Sequence, residues 1–358
     1  MSRSESILTA TRPMPKKGNF VATGTTTKNG KRPIAVRASV VAPTATPAAP
    51  TYINFPLSQE NQNSLAIAIA GNYAYLTDYG SSKVFAFNLT THTTDGSCNV
   101  GATPAAIAIN PSKNRAYVCN AGNNNISVID ITNPGAPIVV GTPIDVCGNN
   151  PIALAINPSG TFAYVCTDNY ITIIDLSTNL VSTLITNIII GALSIAIDSG
   201  GTWAYVCNMT NRMVIDLVRN IKMPEIYTPG GGGVVFNTYA LMHSPIDVYF
   251  NTSTYGGNSN YLWGMSGSSD GQIIYENQIQ LTDQSGNTSM AINPNGNYIY
   301  ITHFNDRNME KINLITQKSE TSMTIPYMNS SALAVNSGGT IAYICYNFGH
   351  PVLTAINL

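Results

Sequence analysis

Residues 153–179 read ALAINPSGTFAYVCTDNYITIIDLSTN, and this phrase decides the fold because the chain repeats it. Two alternating apolar runs, ALAIN and FAYVC, flank a Pro-Ser-Gly turn, and a third run, ITIID, follows a short polar stretch. Apolar alternation with a period of two predicts strands that send successive side chains to opposite faces. Proline presets φ and glycine supplies positive φ, so Asn-Pro-x-Gly predicts a reversal between antiparallel strands and not a chemical site. Further copies occupy 66–78, 106–120, 194–208, 290–303 and 332–346. Anchored on Ala70, Asn110, Asn157, Asp198, Asn293 and Asn336, they are 40, 47, 41, 95 and 43 residues apart. The double-length interval predicts a degenerate seventh copy at 245–277, with GGGGVVFNTYALMHS (230–244) as an insertion before it.

Three clear strands and a weaker fourth in about 40–45 residues are the content of one propeller blade. The expected fold is therefore all-β: a seven-bladed propeller of four-stranded antiparallel blades over residues 51–358. The last unit, 330–358, stops after its third strand, while YINFPLS (Tyr52–Ser58) stands alone before the first unit. Pairing the two would close the ring and remove exposed sheet edges, so Tyr52–Ser58 is expected to complete the seventh blade.

The repeated string NPSGTFAYVCTDNYITIIDLSTN resembles the YVTN-type repeat of seven-bladed propellers, which are related to lactonase-like and surface-layer propellers. The resemblance covers residues 63–358 apart from the degenerate unit. It implies the fold; propellers of this kind include enzymes and inert scaffolds alike.

Composition divides the chain in two. Residues 1–50 hold Arg3, Arg12, Lys16, Lys17, Lys28, Lys31, Arg32 and Arg37 against the single acid Glu5, a charge of +7. The remaining nine Lys/Arg and 17 Asp/Glu give −8. The stretch ASVVAPTATPAAPT at 38–51 reads as an extended linker, so a basic N-terminal arm is expected on an acidic body. With 44% hydrophobic and 10% charged residues, the bulk of the chain is not disordered. No apolar run reaches the roughly 18 residues of a membrane helix. The arm lacks the apolar core of a secretory signal, so export by that route is not expected and a virion-associated or cytoplasmic place is. The Asn-x-Ser/Thr triplets, Asn88 among them, are then expected to carry no glycan. The eight basic arm residues are candidates for binding protein partners in a larger assembly, including further copies of this chain. Phe20 is the arm's single aromatic side chain, which disfavours nucleic acid as the partner.

No P-loop, GxSxG, HExxH or Rossmann pattern occurs in its required context. Cys119, Cys166, Cys207 and Cys345 share one position of the repeat and are read as small core side chains; Cys98 and Cys147 lie between units. No Cys/His spacing suits zinc, and no metal or cofactor is expected. His92, His243, His303 and His350 are scattered. The residues ending the second strand of each unit include Asp78, Asn120, Asn208 and His303, a candidate polar ring at one mouth of the central channel. The competing reading is that each of them caps its own hairpin turn. Asp130, Asp175 and Asp216, with Asn88, Asn313 and Asn357 in the same register, are read as turn-binding structure. Two functions follow: a non-catalytic propeller tethered by its arm in a virus or phage particle or surface layer, or a lactonase-like or lyase-like enzyme using one channel mouth.

Overall fold

The computed structural model describes residues 52–57, 64–110, 114–186, 192, 194–198, 200–207, 212–223, 248–252, 261–267, 273–282, 287–303, 306–346 and 352–358. The arm, the 230–244 insertion, Asn208, His243 and His350 lie outside them. The described residues form strands and no helix, so no helix there is long and apolar enough to cross a membrane.

Strand β1 (Tyr52–Pro56) precedes the first sheet, which contains β2 (Ser64–Ala70), β3 (Tyr73–Asp78), β4 (Lys83–Asn88) and β5 (Thr93–Asn99). The second holds β6 (Pro104–Asn110), β7 (Arg115–Asn120) and β8 (Asn125–Asp130). Two short pieces, β9 (Ile138–Val139) and β10 (Ile144–Asp145), share the outer edge of β8. The third is β11 (Ala153–Ile156), β12 (Phe162–Cys166), β13 (Ile171–Asp175) and β14 (Leu180–Ile185). The fourth is β15 (Ser194–Ile197), β16 (Trp203–Cys207), β17 (Arg212–Asp216) and β18 (Ile221–Lys222). The fifth has three strands, β19 (Val248–Thr252), β20 (Tyr261–Gly267) and β21 (Ile273–Gln280). The sixth is β22 (Asn287–Ile292), β23 (Tyr298–His303), β24 (Asn308–Asn313) and β25 (Lys318–Thr324). The seventh contains β26 (Ser330–Val335), β27 (Ile341–Tyr346) and β28 (Val352–Asn357), with β1 on its outer edge.

The protein is an all-β propeller of antiparallel sheets. The count differs from the expected seven four-stranded blades: among the described residues six sheets are complete and the fifth has three strands. The link from β21 to β22, residues 281–286, is close in length to the five residues between β25 and β26, and β21 packs beside β25, so β21 stands as the outer strand of its sheet; residues 224–247, ahead of β19, lie outside the described residues. Tyr52 faces Ile356 and Pro56 faces Val352 across the β1–β28 ladder, and Thr354 Oγ1 donates to Asn54 Oδ1 at 2.7 Å. The segment that leads into the first sheet thus supplies the outer strand of the last.

Side chains, not backbone ladders, hold the sheets together. Six buried clusters can be traced among the described residues, each shared by two consecutive sheets, from the fifth through the sixth, seventh, first, second and third to the fourth. The period of two in the repeat phrase makes this possible. Tyr117 and Cys119 pack toward the third sheet while Ala116 and Val118, between them in sequence, pack toward the first. Tyr75, Tyr117, Tyr164, Tyr205, Tyr300 and Tyr343 are all buried at this position. Two keep a partner for the hydroxyl by reaching the next sheet, Tyr75 donating to the Pro134 carbonyl and Tyr117 to Asn179 Oδ1.

The turns behave as punctuation. The side-chain oxygens of Asn157, Asp198, Asn293 and Asn336 each accept two backbone N–H groups four and five residues on. Gly160, Gly201, Gly296 and Gly339 supply the positive φ in these turns, which a Cβ would disfavour. After the third strands, Asn88, Asp175, Asp216 and Asn313 each accept the N–H two residues on. In all four the residue four positions later has positive φ: His92, Asn179, Asn220 and Gln317. Asp130 binds the Thr132 N–H in the same way and pairs with Arg115.

Candidate functional site

The innermost strands enclose a cavity of about 290 Å³, lined by the opening residues of β2, β6, β15, β22 and β26 and by Ile152 with the start of β11. Its described walls are alanine, isoleucine, leucine and methionine, with three polar side chains, Ser194, Ser289 and Ser331. Two of these stitch neighbouring innermost strands. Ser331 Oγ donates to the Ser64 carbonyl, and Ser289 Oγ accepts the Leu333 N–H at 3.0 Å. Among the residues described there, the lining carries no titratable side chain. Among all described residues, no three His, Cys, Asp or Glu side chains converge as a metal site.

Of the candidate ring residues, Asp78, Asn120 and His303 are not among those lining the cavity, and Asn208 lies outside the described residues. Asp78 is buried, and its carboxylate accepts the Ser81 N–H and hydroxyl, which is the turn-capping arrangement. Asn120 is buried and donates within its own sheet to Asn125 Oδ1 at 2.8 Å and Ser127 Oγ at 2.9 Å. It is roofed by the strand-to-strand connection: a Cβ on Gly101 would stand 2.6 Å from Asn120 Cγ. Thr167, at the equivalent place, donates to the Cys147 carbonyl under Gly148. The loops entering the innermost strands therefore cover these two positions, and sequence spacing does not reveal that cover.

His303 is different. It is fully buried, and its Nε2 lies 3.4 Å from Glu310 Oε2, also fully buried. The distance is in ion-pair range when the imidazole is protonated; neither atom makes a hydrogen bond. Glu310 Oε1 accepts the Thr282 N–H at 2.9 Å and the Thr282 hydroxyl at 3.0 Å. Thr282 lies two residues past the end of β21 in the fifth sheet, so the carboxylate ties the fifth sheet to the sixth. Burial pushes the Glu310 pKa up, but the His303 ring, Ser319 and the Thr282 N–H outweigh it and hold the carboxyl below its ordinary value. Glu310 was not among the sequence candidates. The legible signal was a carboxylate in the apolar alternation of NMEKIN, facing Ile301 across the ladder.

Cys119, Cys166 and Cys345 are buried, and burial raises the pKa of the Cys119 and Cys345 thiols strongly. Cys98 is half-buried with its thiol pushed up to about 11, and Cys147 is exposed. His92 stacks on Phe55 of the closing strand, ring centroids 4.1 Å apart.

Residues 64–188 match the family described as Lactonase, 7-bladed beta-propeller. The matched stretch covers the first three sheets. Among solved structures the chain is similar to the Kuenenia stuttgartiensis hydrazine synthase, with 19% identity and a TM-score of 0.69, over 84% of this chain and 97% of that one. At that identity the likeness shows the fold. No curated protein matches the chain.

Proposed function

We propose that the chain is a non-catalytic propeller, a structural and interaction module held by its basic N-terminal arm in a larger assembly such as a virus or phage particle or a surface layer. The described lining of the central cavity supports this reading: apolar walls with Ser289 and Ser331 engaged between strands and Ser194 beside them, and among the described lining residues neither a base to activate a serine nor an acid–base pair. The acid–base pair elsewhere, His303 with Glu310, is sealed between two sheets with no exposed atom. Its partners are proteins, copies of itself included, and the +7 arm against the −8 body supports electrostatic attachment.

A second reading has one observation in its favour, the lactonase match over residues 64–188. It makes the chain a lactonase-like or lyase-like enzyme with a site at one mouth, drawing on Asp78, Asn120, Asn208 and His303. Two measurements separate the readings. The intact chain is assayed against a panel of lactones and esters, and a chain lacking residues 1–50 is tested for entry into its assembly. We expect no turnover and no incorporation of the truncated chain. Turnover abolished by His303→Gln overturns the first reading in favour of the second, and incorporation without the arm removes the tether.

A further inference from the structure

The central cavity is bounded by strands that each end a sheet: β22, β26, β2, β6, β11 and β15 neighbour one another in that order. An end strand presents unpaired main chain on its free edge. Two of the lining serines answer that need: Ser331 Oγ donates to the Ser64 carbonyl, and Ser289 Oγ accepts the Leu333 N–H at 3.0 Å. Ser194 does not. It lines the same cavity with 6% of its surface exposed, and its hydroxyl makes no hydrogen bond to any described residue.

Buried hydroxyls ordinarily have a partner. A serine hydroxyl offers one proton and two lone pairs, so Ser194 keeps its whole capacity, Ser289 its proton and Ser331 its lone pairs. The other described lining residues are alanine, isoleucine, leucine and Met290, whose unbranched thioether adapts to what it packs against. A charged ligand would lose its hydration there with no opposite charge among the described lining residues to offset the loss. The cavity of about 290 Å³ is the share of roughly ten water molecules, space for a ligand with on the order of ten non-hydrogen atoms.

We infer that the central cavity is a binding site for a small uncharged molecule, apolar except for one carbonyl or hydroxyl oxygen that accepts a hydrogen bond from Ser194 Oγ. The apolar walls hold the body of the ligand and the serine fixes its orientation. This goes beyond the non-catalytic reading, because binding of this kind needs no reacting group.

Acetophenone is the probe. Its companions are α-methylstyrene, in which a CH2 group replaces the carbonyl oxygen at the same shape, and benzoate, which is charged. Saturation-transfer NMR titrations of the full chain give the affinities. Acetophenone should bind with a dissociation constant on the order of 1 mM, and benzoate should not displace it. Ser194→Ala should weaken acetophenone by about fivefold, the worth of one hydrogen bond, and leave α-methylstyrene unchanged. Ala105→Phe should abolish binding of both by filling the space. Ala105 lines the cavity as the unpaired residue of a bulge between Pro104 and Ala106 and belongs to none of the six buried clusters, so enlarging it spares the packing between sheets. Circular dichroism melting checks that both variants fold; if Ala105→Phe does not, the benzoate competition and Ser194→Ala decide. Absence of acetophenone binding, displacement by benzoate, equal effects of Ser194→Ala on the two neutral probes, or binding that survives in folded Ala105→Phe overturns the proposal. Turnover of a neutral ligand held in the cavity would refute the non-catalytic reading and leave the binding site standing.

Discussion

Replacing Glu310 by alanine tests how the fifth sheet is fastened to the sixth. The carboxylate accepts two hydrogen bonds from Thr282 and stands 3.4 Å from His303 Nε2, with both ionisable side chains fully buried. Hydrogen bonds to a charged group contribute about 1.5–3 kcal/mol each. Thr282 is exposed, so water replaces part of what its N–H and hydroxyl lose. His303 has no such recourse, and removing one member of a buried pair costs about 3–5 kcal/mol. We expect Glu310→Ala to lower the unfolding free energy by about 3 kcal/mol, and Glu310→Gln, which keeps an acceptor for Thr282, by about 1 kcal/mol. Urea denaturation followed by circular dichroism gives these values, and amide hydrogen exchange localises the effect to the Thr282 N–H. A loss below about 0.5 kcal/mol for the alanine variant, or unchanged exchange at Thr282, would refute the role assigned to the carboxylate.

The same group sets a pH dependence. Its folded pKa is below the ordinary 4.5, so its stabilisation is present above about that pH and is lost as the pH falls through the lower folded value; the stability difference between wild type and Glu310→Gln should narrow on acidification, and a gap that widens contradicts the sign. Gly101→Ala should cost about 1–3 kcal/mol, since its Cβ would stand 2.6 Å from Asn120 Cγ, and adding Asn120→Ser should recover part of it; thermal melts of the single and double variants decide. Asp198→Ala removes the acceptor of two backbone N–H bonds of 2.7 Å and should destabilise by about 1 kcal/mol in a denaturant titration. Under native conditions a thiol reagent should modify Cys147 before Cys98, with Cys119, Cys166 and Cys345 protected until unfolding; peptide mapping of the labelled chain showing early modification of the buried three would contradict the core assignment.

The blades, their order and their turns are local matters, and the sequence determined them. Alternation puts Tyr117 and Val118 on opposite faces wherever the strand sits, and Asn-x-x-Gly reverses the chain through bonds between near neighbours, so six residues suffice to encode each turn. The channel, the cover over Asn120 and the His303–Glu310 contact depend on which sheets meet and how loops fold back. Spacing along the chain carries no such information. Residues ending equivalent strands were legible as a set, but Asp78 turned to its own hairpin, Asn120 lay beneath Gly101, and His303 faced a carboxylate seven positions on. Burial and desolvation belong to the assembled sheets, because only packing two faces together removes water from between them; tertiary structure alone therefore decided which of these polar groups meets a partner and which meets solvent.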